Sequence, residues 1–343
     1  MQTQSNLRRV LILLGAFFGT ALLAFVPSAA WLDLPIDGDP YTLLSVCMLK
    51  QFLTVLLLLI VPALWARSAH RFGVWALLML SALAYGMGYL VTNTASDALY
   101  TLLLLTLPGA GLYALQKLRL NNFRTVLYGS VLNLVALFGY VCLPDLIANG
   151  NAYLPFRNVL ALYERVMQDT AAQLGVLGGE SLGGIIELIT ELKLSPDAIG
   201  VPILLLPAMA AALSNVLFSH LFNVRCEVGL VTLPPFSEWR CERPFVYLAT
   251  GFALITYFLA MLNINGMDAL SSVGMLLWSL PCALAGLSAV LRLSLRARRG
   301  WIFAIICCAA FLLPSFGMTA LSMVGMIASL RRPMTDRKDG TNL

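Results

Sequence analysis

Long apolar segments recur along this chain, and the polar gaps between them alternate in charge. Most of the 22 Lys and Arg residues fall in every second gap, and most of the 17 Asp and Glu residues fall in the gaps between. A helix satisfies its own backbone polar groups, and about 20 apolar residues carry it across a hydrocarbon core of ~30 Å. Cations beside a span stay on the cytoplasmic side. The pattern therefore predicts an all-α, polytopic transmembrane helix bundle in the bacterial cytoplasmic (inner) membrane, with a cytoplasmic N-terminus.

Composition excludes the other classes. With 59% hydrophobic residues, 11% charged residues and a mean hydropathy of +0.84, the chain has too little charge to coat a soluble globule. The alternating pattern of an outer-membrane barrel is absent. The net charge of +5 sits in short juxtamembrane clusters rather than on one stripe, which points to the lipid bilayer as partner and to no nucleic acid. The seven cysteines, among them Cys47, Cys142, Cys282, Cys307 and Cys308, form no paired framework and read as small buried hydrophobes. Arg8-Arg9, an apolar run and Pro27-Ser28-Ala29-Ala30 imitate a secretory signal, but a run over residues 10–32 is too long for one and reads as an uncleaved first span.

Eight full spans are expected, over residues 10–32, 43–66, 73–91, 98–115, 125–147, 199–221, 245–264 and 270–291. Asp33, Asp37, Asp39, Asp97 and Asp268 mark external gaps. Arg67, His70, Arg71, Lys117, Arg119, Arg124 and Arg225 mark cytoplasmic ones, as do Arg292, Arg296, Arg298 and Arg299. The segment 301–330 is also apolar, yet Arg331, Arg332, Arg337 and Lys338 follow it. Either Pro314-Ser315-Phe316-Gly317 turns it into a hairpin that keeps those cations cytoplasmic, or it is a ninth, kinked span that places them outside; the hairpin is the expected form.

Residues 148–198 are too polar to cross and too periodic to be linker. Val159, Leu162, Tyr163, Val166 and Thr170 recur at helical spacing, and Ile185, Ile186, Ile189 and Leu192 follow suit. They predict two external amphipathic helices, which either cap the bundle or cover a cavity. The expected organisation is a five-span half over 1–147, this external segment over 148–198, a second membrane half over 199–330, and a cytoplasmic tail over 331–343.

Lys50 is the one cation inside a span, with Gln51 beside it. An ammonium in hydrocarbon costs about 2.5 to 3.5 kcal/mol, so Lys50 either snorkels to the surface or serves a ligand. Tyr85, Tyr89 and Asn93 stand at i, i+4 and i+8 on one face of the third span, expected to point inward. They line a solute cavity in one reading and belong to the aromatic belt in the other. Asn133, Ser214 and Asn215 read as hydrogen bonders between helices, and Gly15-xxx-Gly19 and Ala285-xxx-Ala289 as close-packing motifs. Lys50, Gln51, Tyr85, Tyr89 and Asn93 form the candidate ligand-binding set.

The chain shows no Walker loop, no HExxH, no paired intramembrane carboxylates and no serine with a histidine base. Its only histidines, His70 and His220, lie at cytoplasmic span ends, and Cys226 with Cys241 lacks a zinc-binding spacing. No catalysis, no catalytic residues, no metal and no cofactor are expected.

Three motifs carry a family resemblance: Leu107-Pro108-Gly109, the loop Leu233-Pro234-Pro235-Phe236-Ser237-Glu238-Trp239, and Leu321-Ser322-Met323-Val324-Gly325-Met326 before basic residues. On these the chain resembles the YybS-like family of bacterial membrane proteins. That family is similar in organisation to the substrate-binding subunits of energy-coupling-factor transporters. The resemblance implies a solute-binding bundle whose partner membrane or ATPase subunits are separate chains. Those subunits usually carry an AxxxA-type stripe on the first span, where this chain has Gly15-xxx-Gly19. A small-solute-binding or transport-related membrane subunit is the expected function, with a non-catalytic scaffold or envelope-assembly protein as the alternative.

Overall fold

In the computed structural model the described residues are 2–28, 39–174, 176–194, 197–224, 235–262, 264, 267–312 and 314–331. They are helical with no strand among them. The expected external gap at Asp33 and Asp37, residues 225–234, the expected turn at Asn265 and Gly266, and residues 332–343 lie outside them. Seven helical stretches are long and apolar enough to cross a membrane: Pro40–Phe72, Val74–Thr92, Ala95–Lys117, Asn122–Asn149, Gly200–Leu221, Arg243–Met261 and Met267–Arg296. Two compact units divide the chain, Met1–Val231 and Thr232–Leu343.

The first unit holds α1 (Gln2–Ser28), α2 (Pro40–Leu58), α3 (Val61–Phe72), α4 (Val74–Thr92), α5 (Ala95–Lys117), α6 (Asn122–Val141), α7 (Leu143–Asn149), α8 (Leu154–Leu174), α9 (Val176–Leu194) and α10 (Asp197–Val224). Helix α10, which opens the expected second half, packs on α6 and α3 of this unit. Local chemistry places the ends. Asp39 accepts from the Thr42 amide at 3.1 Å and its hydroxyl at 2.8 Å, capping α2; the Thr42 hydroxyl bond holds the Asp39 carboxyl below its usual value. Gly73, at φ 73°, turns α3 into α4, and Asn93, at φ 54°, ends α4 in the left-handed conformation that glycine and asparagine tolerate best.

Trp65 is the centre of this unit. It is fully buried, its indole N–H donates to Thr20 Oγ1 at 2.7 Å, and that hydroxyl donates to the Ala16 carbonyl. On the far side it lies on Gly109 of α5, where a Cβ would come within 2.8 Å of the ring. The Leu107-Pro108-Gly109 motif is thus a seat for an aromatic ring. Gly15 and Gly19 of α1 face Leu64 and Val61 of α3, so the first close-packing motif works within the bundle.

These contacts also set heights. Gly19 is level with Val61 and the two helices run antiparallel, so the end of α1 at Ser28 is level with about residue 52, at 1.5 Å per residue. The first three turns of α2 therefore extend past α1. There α8 lies along them, with Tyr41 Oη 3.0 Å from Thr170 Oγ1 and the Tyr163 hydroxyl on Met48 Sδ at 3.9 Å. Helix α9 folds back on α8: Lys193 and Thr190 both donate to Glu164, and the Lys193 ammonium holds that carboxyl below its usual value. Val166 and Ile189 are buried, as the two amphipathic stripes require.

The second unit holds a 3₁₀ turn (Phe236–Glu238), α11 (Arg243–Met261), α12 (Met267–Arg296), α13 (Gly300–Leu312) and α14 (Pro314–Leu330). The segment expected as a hairpin or kinked span is broken in two. A Cβ on Gly317 would lie 2.4 Å from Ala310 Cα. Seven residues of continuous helix would separate those positions by about 10 Å, so the chain folds back there. The Ser322 hydroxyl donates to the Ser279 carbonyl, Gly325 meets Cys282 and Gly286, and Ser329 Oγ accepts from the Cys241 amide. Cys241 ends a loop whose Trp239 and Ser237 carbonyls are held by Ser288 and Arg292. Contacts advance together along α12 and α14, so the two run in the same direction and Arg331 is carried toward the Arg292 end. Single cysteines introduced at Arg299 and Arg331 are expected to react with an impermeant maleimide from the same side of sealed vesicles, and one at Asp268 from the other. Labelling of Arg331→Cys together with Asp268→Cys would contradict the hairpin.

A close contact on α12 lies beside the expected Ala285-xxx-Ala289 motif. Cys282 and Gly286 meet α14, and Ala285 and Ala289 are buried beside them. Gly286 on α12 and Gly325 on α14 both lack a side chain, so the two backbones come close there, at Gly286 and at the Cys282 carbonyl.

Candidate functional site

The expected second span is not one helix. α2 ends at Leu58, and α3 begins after Ile60, whose φ of −121° leaves the helical range. Pro62 is the cause. It has no N–H for the Leu58 carbonyl four residues back, and its ring clashes with that position. The Ala63 and Leu64 amides both turn to the Ile60 carbonyl, at 3.1 and 3.3 Å, which leaves the Leu59 carbonyl free as well. Two orphaned carbonyls in hydrocarbon would cost several kcal/mol.

Helix α10 meets both. Asn215 Nδ2 donates to the Leu58 carbonyl at 3.1 Å, and Ser214 Oγ donates to the Leu59 carbonyl at 3.0 Å. Ser214 and Asn215 thus do bond a neighbouring helix, but at a discontinuity that an unbroken apolar pattern hid. Pro62 was the available signal. Asn215 is 2% exposed, and its Oδ1 has no hydrogen-bond partner among the described residues. Asn133, grouped with this pair by sequence, bonds its own helix at the Gly129 carbonyl, 2.9 Å away.

Lys50 lies two turns before the break, half-buried, and Gln51 beside it is exposed. The path Pro40–Phe72 is 33 residues, whereas α4, which shares the Gly73 turn, is 19 residues, or about 28 Å. Counted up from Phe72, that thickness ends near residue 54. By that count Lys50 lies about one turn beyond the stretch that α4 matches, toward the Asn93 end.

Tyr85 and Tyr89 do share a face, with rings 6.5 Å apart and nearly parallel. That face is not the buried one. Ala76, Leu80, Ala84 and Gly88 are buried, because Gly88 lets Ala98 of α5 come close, while Tyr89 is 47% exposed and Asn93 is exposed at the helix end. Helices α2 and α4 each pack on α1 and share no substantial contact with one another. The candidate set thus falls into two groups, Lys50 with Gln51 and Tyr85 with Tyr89 and Asn93.

At the Gly73 end, polar pairs that no spacing rule reveals tie the helix ends together. His70 Nε2 is 3.0 Å from Gln116 Oε1 and its ring meets Tyr113 edge-on, and His220 Nε2 is 3.0 Å from Asn122 Oδ1. Among the described residues no three His, Cys, Asp or Glu side chains cluster as a metal site would require.

The family model described as "Predicted membrane protein (DUF2232)" matches residues 42–328. The chain belongs to that family. The match runs from the start of α2 to the end of α14 and so takes in both units. No curated protein and no solved structure matches the chain.

Proposed function

We propose that this protein is a small-solute-binding or transport-related membrane subunit without catalytic activity of its own. The observation that carries the reading is the broken α2–α3 path. Non-helical backbone at membrane depth is tolerated where it is buried in protein or lines a polar cavity, and discontinuous helices are a common way transporters build a binding site. Lys50 and Gln51 stand two turns from the break and are the proposed contacts of a polar solute there, with Tyr85, Tyr89 and Asn93 of α4 proposed as a second, separate polar group. The resemblance to YybS-like proteins, and through them to energy-coupling-factor subunits, supports partner membrane or ATPase subunits on separate chains.

The accompanying topology has a cytoplasmic N-terminus, α1 as an eighth span, α8 and α9 on the outer face and the α13–α14 hairpin returning to the cytoplasm, in a bacterial inner membrane. The charge alternation supports it.

Thermal unfolding of the purified protein across a panel of vitamins and polar metabolites tests the function. One class is expected to raise Tm by several degrees at saturating concentration. Lys50→Ala is expected to abolish that rise while leaving the ligand-free Tm unchanged, and Tyr89→Ala to reduce it. A flat response to the whole panel, with both variants folded, would remove the reading.

One observation favours a scaffold instead. The α8–α9 pair beside the projecting end of α2 exposes Ile185, Leu188 and Leu194, an apolar surface of the kind a protein partner covers. A partner that copurifies with the wild type and is lost with Leu188→Glu would support it.

A further inference from the structure

We propose that the break between α2 and α3 binds a small monovalent cation, sodium by size, through the Leu58 and Leu59 carbonyls, Ser214 Oγ and Asn215 Oδ1. This rests on the reading of the break as a functional discontinuity, but it requires no solute.

Two side chains of α10 meet two successive carbonyls there, Ser214 Oγ at Leu59 and Asn215 Nδ2 at Leu58. The two carbonyls belong to the C-terminal end of α2, which carries the negative end of its helix dipole, and half-helix ends of this kind coordinate cations in transporters. Asn215 contributes an amide of which only the nitrogen is used. A half-turn of that amide exchanges its nitrogen and oxygen in place, so Oδ1 comes to face the Leu58 carbonyl. Two acceptors facing each other repel unless a cation lies between them. The same holds for Ser214, whose proton turns to the Ala210 carbonyl of its own helix as its lone pair turns to the ion.

Spacing selects the ion. Oxygen ligands about 2.4 Å from a cation of sodium or calcium size lie about 3.4 Å from one another in an octahedral shell. The pairs here are 3.0 and 3.1 Å apart, so they open by a few tenths of an ångström to admit it. A potassium-sized ion requires a larger opening. All four donors are neutral, and every acid in the chain lies outside the apolar spans. A divalent ion would then sit in low dielectric with no compensating carboxylate, which excludes calcium and magnesium.

The test uses the purified full chain without solute. Thermal unfolding in sodium chloride, potassium chloride and choline chloride at equal ionic strength is compared, together with retention of radioactive sodium by equilibrium dialysis. A saturable rise in Tm with sodium alone, and retained isotope, are expected. Ser214→Ala is expected to weaken retention about 10- to 100-fold. Asn215→Asp supplies a charged oxygen at the same place and is expected to tighten it, which keeps the proposal testable if Asn215→Ala does not fold. Identical unfolding in the three salts with no retained isotope overturns the site. Sodium binding alongside a flat solute panel would sink the solute reading and leave the cation site standing; a solute response without sodium binding would do the reverse.

Discussion

Gly325→Ala is expected to lower the unfolding temperature by about 4 °C. A Cβ at Gly325 would lie 1.8 Å from the Cys282 carbonyl oxygen and 2.5 Å from the Gly286 nitrogen. Both are backbone atoms of α12, so no rotamer change relieves the clash. The helices must part along their whole crossing, which opens the cluster of Ala283, Val290 and Leu321 and stretches the bonds from Ser322 to Ser279 and from Cys241 to Ser329. Overpacking usually costs 1–3 kcal/mol, and a clash between two backbones belongs at the top of that range, at about 3 kcal/mol. Gly139→Ala is the control: nothing lies within 4 Å of a Cβ there, and alanine gains about 1 kcal/mol in helix propensity. Unchanged unfolding of Gly325→Ala in detergent would mean that α12 and α14 do not cross at these glycines.

Trp65→Ala is the second large loss, expected at about 3–5 kcal/mol. The indole is fully buried between Thr20 of α1 and Gly109 of α5. Lipid cannot refill an enclosed space of that shape, so the cost is lost packing rather than lost hydrophobic transfer. Thr20 keeps its bond to the Ala16 carbonyl, so its hydroxyl is not orphaned. Thr20→Val removes the acceptor of the indole N–H and is expected to cost only about 1–2 kcal/mol. Chemical unfolding followed by far-ultraviolet circular dichroism measures both. Equal losses from the two variants would show that the hydrogen bond, rather than the ring, holds α1, α3 and α5 together.

The two seats share a logic that bears on function. At Gly109 and at Gly325 a missing side chain lets another helix come close, and a rigid wall results. Between α2 and α3 the chain does the opposite. Pro62 opens a gap in the backbone hydrogen bonds, and Ser214 and Asn215 fill it with groups able to turn.

Much of the fold was legible in residue order. Seven of the eight expected spans correspond to long apolar helical stretches, Val166 and Ile189 mark the inner stripes of α8 and α9, and Gly317 folds the last segment back on itself. Less of the site was legible. Lys50 drew attention as a cation within an apolar run, but its depth depended on how far α2 extends past its neighbours, which hydropathy along one helix does not record. The tyrosine stripe was correctly placed on one face. Which face α4 buries was decided by Gly88 and the Cα of Ala98, a contact between helices.

Hydropathy and charge order by themselves determined that this chain is a multi-pass helical membrane protein, because the cost of exposing backbone or charge to lipid acts on each segment separately. Tertiary structure alone decided where that economy is broken. Pro62 leaves two carbonyls without partners, and whether such a break is tolerated depends on what stands opposite it. Here Ser214 and Asn215, more than 150 residues away in the chain, stand opposite. No local pattern encodes that pairing, since it exists only once α10 has packed beside α3.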